Sequence, residues 1–282
     1  MKERRFLHFA IAIMMLFTVL FQNEAVILAA STQSTTVVNS NKQFIQCIYK
    51  NMLAKEKKFA IKYSGDWHDL KADNLDEVLN KVYAIDNKNT SDDFDYLKEN
   101  IESYLLNMSS NGVATILTFT VNYRETKSQI AKVNNKVKKV IKSMKLGEQS
   151  DYHKVKKIHD YIVNLVNYDQ TYSKYTAYNA LFNKSSVCEG YALLFYKMAT
   201  EAGVSCRIVT SDNHAWNIVR LGEKWYHIDV TWDDPISEKP VLRYDYFLKG
   251  SKTMAKTHTL SGMFTTKTFS RLYPISTSNY SK

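Results

Sequence analysis

Apolar residues recur at mixed spacings through the front of the chain and at cleaner spacings behind it. Residues 42–58, 74–84 and 92–106 predict helices, and residues 113–123 predict a strand. On that strand Val113, Leu117, Phe119, Val121 and Tyr123 share one face, with Thr118 and Thr120 on the other. No grouping of chemically useful side chains stands out in this front module. Over 126–145, Ile130, Val133, Val137, Val140, Ile141 and Met144 lie near helical spacing among lysines and stop before Gly147. This predicts an amphipathic helix whose charge run is its solvated face. Residues 151–167 repeat the pattern with Val155, Ile158, Ile162, Leu165 and Val166, and Ser150 or Asp151 can cap them. His153 and His159 ride on this helix and read as surface or packing residues, since neither has another candidate ligand nearby in sequence.

The next stretches carry chemistry. Ser186-Val187-Cys188-Glu189 has the Ser-x-x-Glu form of a capping box, and an apolar run from Tyr191 to Phe195 follows, with Met198, Ala199 and Gly203 closing the helix. Cys188 then falls in the first turn, where unpaired N–H groups and the positive end of the helix dipole favour the nucleophilic thiolate. A buried cysteine acting as a small apolar group is the bland alternative. Placement in the first turn, rather than deep in the apolar stripe, favours function. Residues 214–220 and 224–232 predict two strands joined by a turn at Gly222-Glu223. A loop of two or four residues opposes His214 to Thr231 and Trp216 to Asp229, which puts His214 and Asp229 diagonally on one face. A loop of three residues would put them on opposite faces.

Three blocks together, Val187-Cys188-Glu189-Gly190-Tyr191-Ala192, His214-Ala215-Trp216-Asn217 and Tyr226-His227-Ile228-Asp229-Val230-Thr231-Trp232-Asp233-Asp234-Pro235, resemble the signature blocks of the transglutaminase-like superfamily. More narrowly, they resemble its bacterial branch grouped with a cytokinesis-linked transglutaminase/protease-like family. The resemblance runs from about Asp151 to Pro235 and does not cover the front module. It implies an α+β, papain-like core in which a catalytic cysteine at a helix N-terminus packs on an antiparallel sheet, with Cys188 as nucleophile, His214 as base and Asp229 as orienting carboxylate. Such a set forms a thioester with an amide carbonyl, which an amine resolves to a crosslink and water to hydrolysis or deamidation. The backbone N–H of Cys188 is a natural oxyanion donor, and Tyr178 is the side-chain candidate beside its reading as a packing aromatic. Trp216, Trp225 and Trp232 read as cleft walls or core, and His227 as a structural histidine that could support Asp229.

Composition narrows the rest. Among 282 residues, 45% hydrophobic content and few Gly and Pro exclude wholesale disorder. The net charge of +10 is scattered among Asp and Glu with no Arg-rich block or base-stacking motif, so nucleic acid is not an expected partner. Cys47, Cys188 and Cys206 are too few and too odd for a disulfide scaffold, and no CxxC or HExxH spacing suggests a metal; the chemistry needs no cofactor. Lys2, Arg4 and Arg5, the apolar run from Phe6 to Phe21 and Leu28-Ala29-Ala30 form a targeting segment. Cleavage is expected near Ala30, with an uncleaved anchor as the alternative, although the run is shorter than the ~20 residues of a spanning helix. The expected order is a signal peptide at 1–30, a flexible leader at 31–43, an α/β module at 44–125 and the catalytic domain at 126–282. The protein is expected at the cell surface or secreted, touching the membrane only through its N-terminal segment. Protein or peptide substrates, possible partners in the cell wall, complete this reading; a catalytically silent binding or scaffold protein of the same fold is the alternative.

Overall fold

A computed structural model of the protein describes residues 35–65, 67–70, 75–111, 113–237 and 241–281. The targeting segment 1–30 and residues 31–34 of the leader lie outside the described residues. The chain divides into two compact units between Lys127 and Ser128. Among the described residues no helix is long and apolar enough to cross a membrane.

In the first unit, strand β1 (Thr36–Val38) leads to helix α1 (Asn41–Leu53), which starts where the Ser40 hydroxyl accepts from the Gln43 N–H. Strand β2 (Lys58–Tyr63), helices α2 (Leu75–Tyr83) and α3 (Phe94–Glu99), and strands β3 (Ile101–Ser110) and β4 (Thr115–Tyr123) follow. The sheet order is β1-β2-β4-β3, with β1 parallel to β2 and the other pairs antiparallel. Phe44, Ile48 and Met52, one helical turn apart on α1, are fully buried and share a core with Leu117, Phe119 and Val121 of β4.

Three front-module expectations are corrected. The first helix stops at Leu53, because Phe59, Ile61 and Tyr63 alternate into the core as strand β2. The helix expected over 92–106 is a short helix followed by a strand. Buried Asn100 fixes the corner by donating to the Glu125 carboxylate at 2.6 Å and accepting from the Glu125 N–H and Lys55 Nζ. Beyond it Tyr104, Leu106 and Met108 pack against the core with the period of a strand. Val113 precedes β4 and is exposed.

The second unit opens with α4 (Lys127–Ser143) and α5 (Asp151–Leu165), whose inward residues include Val133, Val137, Val155, Ile158 and Ile162. Ser150 holds the N-cap position of α5, but its hydroxyl bonds His153 Nδ1 instead of a backbone N–H. Two short parallel strands, β5 (Asn167–Tyr168) and β6 (Ser185–Ser186), then bring the chain to α6 (Cys188–Glu201). From Cys188 to Ala199 only Glu189 escapes burial, so α6 is the central helix and needs apolar cover all round. It packs on a three-stranded antiparallel sheet ordered β7 (Cys206–Thr210), β8 (Ala215–Leu221), β9 (Lys224–Ile228). Asn217 on β8 pins the two layers together, its amide donating to the carbonyls of Ala192 and Arg207. Helices α7 (Ser251–Met254) and α8 (Lys267–Leu272) complete the unit.

The capping box at the head of α6 is replaced by a tighter corner. Val187 is the N-cap, and Ser186, held in β6, turns its hydroxyl to the Lys174 carbonyl at 2.8 Å. Gly190 then sits against Ser186: a Cβ there would lie 1.8 Å from Ser186 Oγ and 2.8 Å from the Thr176 carbonyl oxygen. Gly190→Ala should therefore destabilise the second unit by about 1–3 kcal/mol, the usual cost of overpacking, measured as an earlier unfolding transition in urea. An unchanged transition would mean that this corner yields freely.

Candidate active site

Asp229 follows β9 and is completely buried. Its Oδ2 lies 2.6 Å from His214 Nε2 and 2.9 Å from His258 Nε2, and its Oδ1 accepts from the N–H groups of Thr231 and Trp232. Burial alone would raise its pKa, but the charge and hydrogen bond of His214, followed by those of His258, hold it below the ordinary carboxylate value. An ionised carboxylate can only accept, so both imidazoles present Nε2–H to it. His258 Nδ1 stands 2.8 Å from the Thr257 hydroxyl. On neutral His214 the lone pair is left on Nδ1, the nitrogen a base needs.

The hairpin that makes this possible has a two-residue turn at Gly222-Glu223, with Gly222 at φ +64°. Its register pairs Asn217 with Ile228 and Ile218 with His227, so His214 and Asp229 fall on one face, as a two-residue loop requires. Cys188 comes from the head of α6, which packs on β8. Its sulfur is a near neighbour of the N–H of Ala215, the residue after His214. The immediate surroundings of the sulfur work against the helix N-terminus. The Cys188 thiol donates to Glu189 Oε2 at 3.1 Å, and burial followed by the Glu189 carboxylate push its pKa well above that of a free thiol.

Around this set, Trp216 stacks on His214 with ring centroids 5.6 Å apart, and Trp232 stands 5.6 Å from the same ring. Trp232 is 42% exposed, so it is the wall that faces outward, whereas Trp216 and Trp225 are core. His227 supports the site through Trp216: its Nδ1 accepts from the indole N–H at 3.0 Å. Burial, with the nearby His258, pushes its pKa down to about 4. The ring of Tyr178 lies against that of Phe182, with centroids 4.8 Å apart. Tyr168 lies near this end of the helix, its hydroxyl pushed upward first by burial and then by Cys188, Tyr172 and Glu189.

Residues 138–230 match the family described as the transglutaminase-like superfamily. This part of the chain belongs to that superfamily. Among solved structures, the chain is similar to a crystal structure of a TGase, with 15% identity, TM-score 0.36, and coverage of 80% of this chain and 64% of that one. It is also similar to a candidate cysteine protease from Cytophaga hutchinsonii (17%, TM-score 0.31, 46% and 65%). A third, a candidate protease from Parabacteroides distasonis, is 8% identical with TM-score 0.27 over 65% and 41%. The chain spans less than two thirds of the length of each of these. No curated protein matches it.

The transglutaminase-like domain thus brings together Cys188, His214 and Asp229, with two further side chains that sequence reasoning had not assigned to the site. His258 was missed because it lies beyond the signature blocks. Glu189 was read as a capping residue. The donor atoms of His214, Asp229 and His258 all lie within 4.8 Å of one another, a spacing worth testing against a metal. Two ligands of a tetrahedral zinc are about 3.3 Å apart, given metal–ligand distances near 2.0–2.1 Å, whereas the two carboxylate–imidazole contacts are 2.6 and 2.9 Å. They are spaced as N–H···O bonds, and the donor set fits those bonds better than an ion.

Two outcomes follow. Glu189→Gln removes the negative charge beside the sulfur, so the pH profile of Cys188 alkylation should move to lower pH and the rate at neutral pH should rise severalfold. An unmoved profile would show that Glu189 does not set the thiol's state. His227 resists protonation in the folded protein, so its contribution is fully present above the ordinary histidine value of 6.5 and is lost as pH falls toward about 4. Over that window it should cost the folded domain roughly 2–3 kcal/mol. Melting temperature against pH should be flatter in His227→Gln than in the wild type.

Proposed function

We propose that the protein is a thiol acyl-transfer enzyme that attacks protein or peptide amides through a thioester on Cys188, outside the plasma membrane. The observation that carries this reading is the 2.6 Å His214–Asp229 bond, with the Cys188 sulfur beside the N–H of Ala215, the residue after His214. The Cys188 proton passes to His214 Nδ1 as the sulfur bonds to the amide carbonyl carbon. As the first residue of a helix, Cys188 has an N–H with no intrahelical acceptor, and this N–H stabilises the oxyanion. Collapse breaks the C–N bond, and His214 gives the proton to the departing amine. A primary amine or water then attacks the thioester and loses a proton to His214, and the sulfur leaves and recovers it. Asp229 holds Nε2–H throughout and stabilises the imidazolium.

Location outside the membrane rests on Lys2, Arg4, Arg5 and the apolar run behind them. The rival reading is a silent binding protein of the same fold. Mass spectrometry of cell-surface proteins incubated with the enzyme and a tagged primary amine separates the two. Cys188→Ala should abolish tagged or cleaved products, and His214→Ala should lower their rate at least about a hundredfold, the scale of general acid–base catalysis. Asp229→Asn should be milder and should shift the pH profile. Products that survive Cys188→Ala would refute the thioester, and Cys188 alkylation indifferent to His214 would favour the silent protein.

A further inference from the structure

A small cavity of about 90 Å³ opens within the second unit between the β5 segment and the loop after Asp229, lined by Asn167, Tyr168, Gln170, Asp234 and Ile236 among others. It lies beside the nucleophile. Tyr168 pairs with Ser186, two residues before Cys188. Asp234 is tied by a 2.6 Å bond from the hydroxyl of Tyr191, which stands one turn from Cys188 on α6.

Asp234 is the unusual member of the lining. It is 8% exposed, yet its carboxylate has a single hydrogen bond, on Oδ2, and no ion pair. Among the described residues Oδ1 has no hydrogen-bond partner, and Asp234 lines the cavity. A carboxylate this buried normally carries a cation or several N–H donors. Asp229, five residues earlier, has four such donors. The want of a partner leaves Asp234 with a pKa raised to about 6, by burial first, against the weaker opposing effects of Tyr191 and His159.

We propose that this cavity is a recognition subsite for an alkylammonium group of the substrate, with Asp234 as its anionic wall. The inference rests on the acyl-transfer reading for its place in the reaction, though not for its chemistry. At about 90 Å³ the cavity is small, which suits a compact ammonium head more than a bulky group. A planar guanidinium is broader and carries five donors, whereas the cavity offers one open carboxylate oxygen. The bound amine is held as its cation, and its lone pair is occupied by a proton. It therefore cannot be the nucleophile that resolves the thioester. The subsite selects a positive charge flanking the reacting amide.

The test is an NMR titration of the full-length Cys188→Ala protein with butylammonium, with butanol as the neutral match, following the backbone amides of residues 167–170 and 234. Saturable shifts with butylammonium alone, weakened at least about fivefold in Asp234→Asn, are expected, since one buried charge pair is worth that much or more. If Asp234→Asn does not fold, Gln170→Lys, at an exposed lining position, should weaken the same binding by placing a cation there. Equal shifts with butanol, no saturable shifts, or binding unaffected by either variant would overturn the subsite. The acyl-transfer reading fails separately, through His214-independent alkylation of Cys188. Should it fail while the cation still binds, the subsite stands as a recognition pocket.

Discussion

The second unit is organised around one buried charge, the carboxylate of Asp229. A carboxylate with no solvent contact is tolerable only when several donors replace its water, because an isolated buried charge would be neutralised instead. Its donors come from the head of β8 (His214), the turn directly after the residue (Thr231 and Trp232) and the segment after α7 (His258). The start of β8, the 229–234 turn and the segment after α7 must therefore meet at one point. That requirement also fixes the chemistry: once Asp229 has claimed Nε2 of His214, the free lone pair can only be on Nδ1.

The nucleophile shows which of two opposed effects wins. A helix N-terminus favours an anion by about 0.3–1 kcal/mol at exposed sites and up to about 2 in partly buried ones, and this is the basis for expecting a thiolate. Burial of Cys188 and a carboxylate 3.1 Å away act in the other direction, and together they dominate. The resting state is a neutral thiol bonded to Glu189. Reaction then requires both the approach of substrate and a base, which suits a site where His214 takes the proton only as sulfur meets carbonyl carbon.

Much of this arrangement was legible in the residues, for reasons of period. The strand alternation of two makes the facing of His214 and Asp229 depend only on loop parity, and the two-residue turn at Gly222-Glu223 decides it. Helical spacing marked the inward faces of α4 and α5 equally well, and the unbroken apolar run of α6 fits its burial on all sides. What counting could not reach depends on contacts between distant segments. His258 joins Asp229 from 29 positions away. Ser186 looked like a cap, yet it belongs to a strand whose partner, β5, carries too few residues to show alternation. Residues 101–106 continued an apolar pattern compatible with a helix, and only the corner made by Asn100 and Glu125 decides for a strand.

The tight turn after β9 places three carboxylates in six residues, and their partners separate their roles. The turn is closed by hydrogen bonds from the Asp233 N–H to the Asp229 carbonyl and from the Asp234 N–H to the Thr231 carbonyl. Asp229 faces two imidazoles and stays ionised. Asp233, fully buried, accepts from the Tyr246 N–H and meets Nε2 of His159, whose other nitrogen meets Asp160 on α5. Those two carboxylates raise the His159 pKa against the effect of burial, so this pair clamps α5 to the turn as a charge-assisted contact. Asp234 receives only the Tyr191 hydroxyl from α6. Because Asp233 ties the turn to α5 and Asp234 ties it to α6, the turn is fixed from two sides. Asp229 can then hold His214 in place without being displaced by the charge it neutralises.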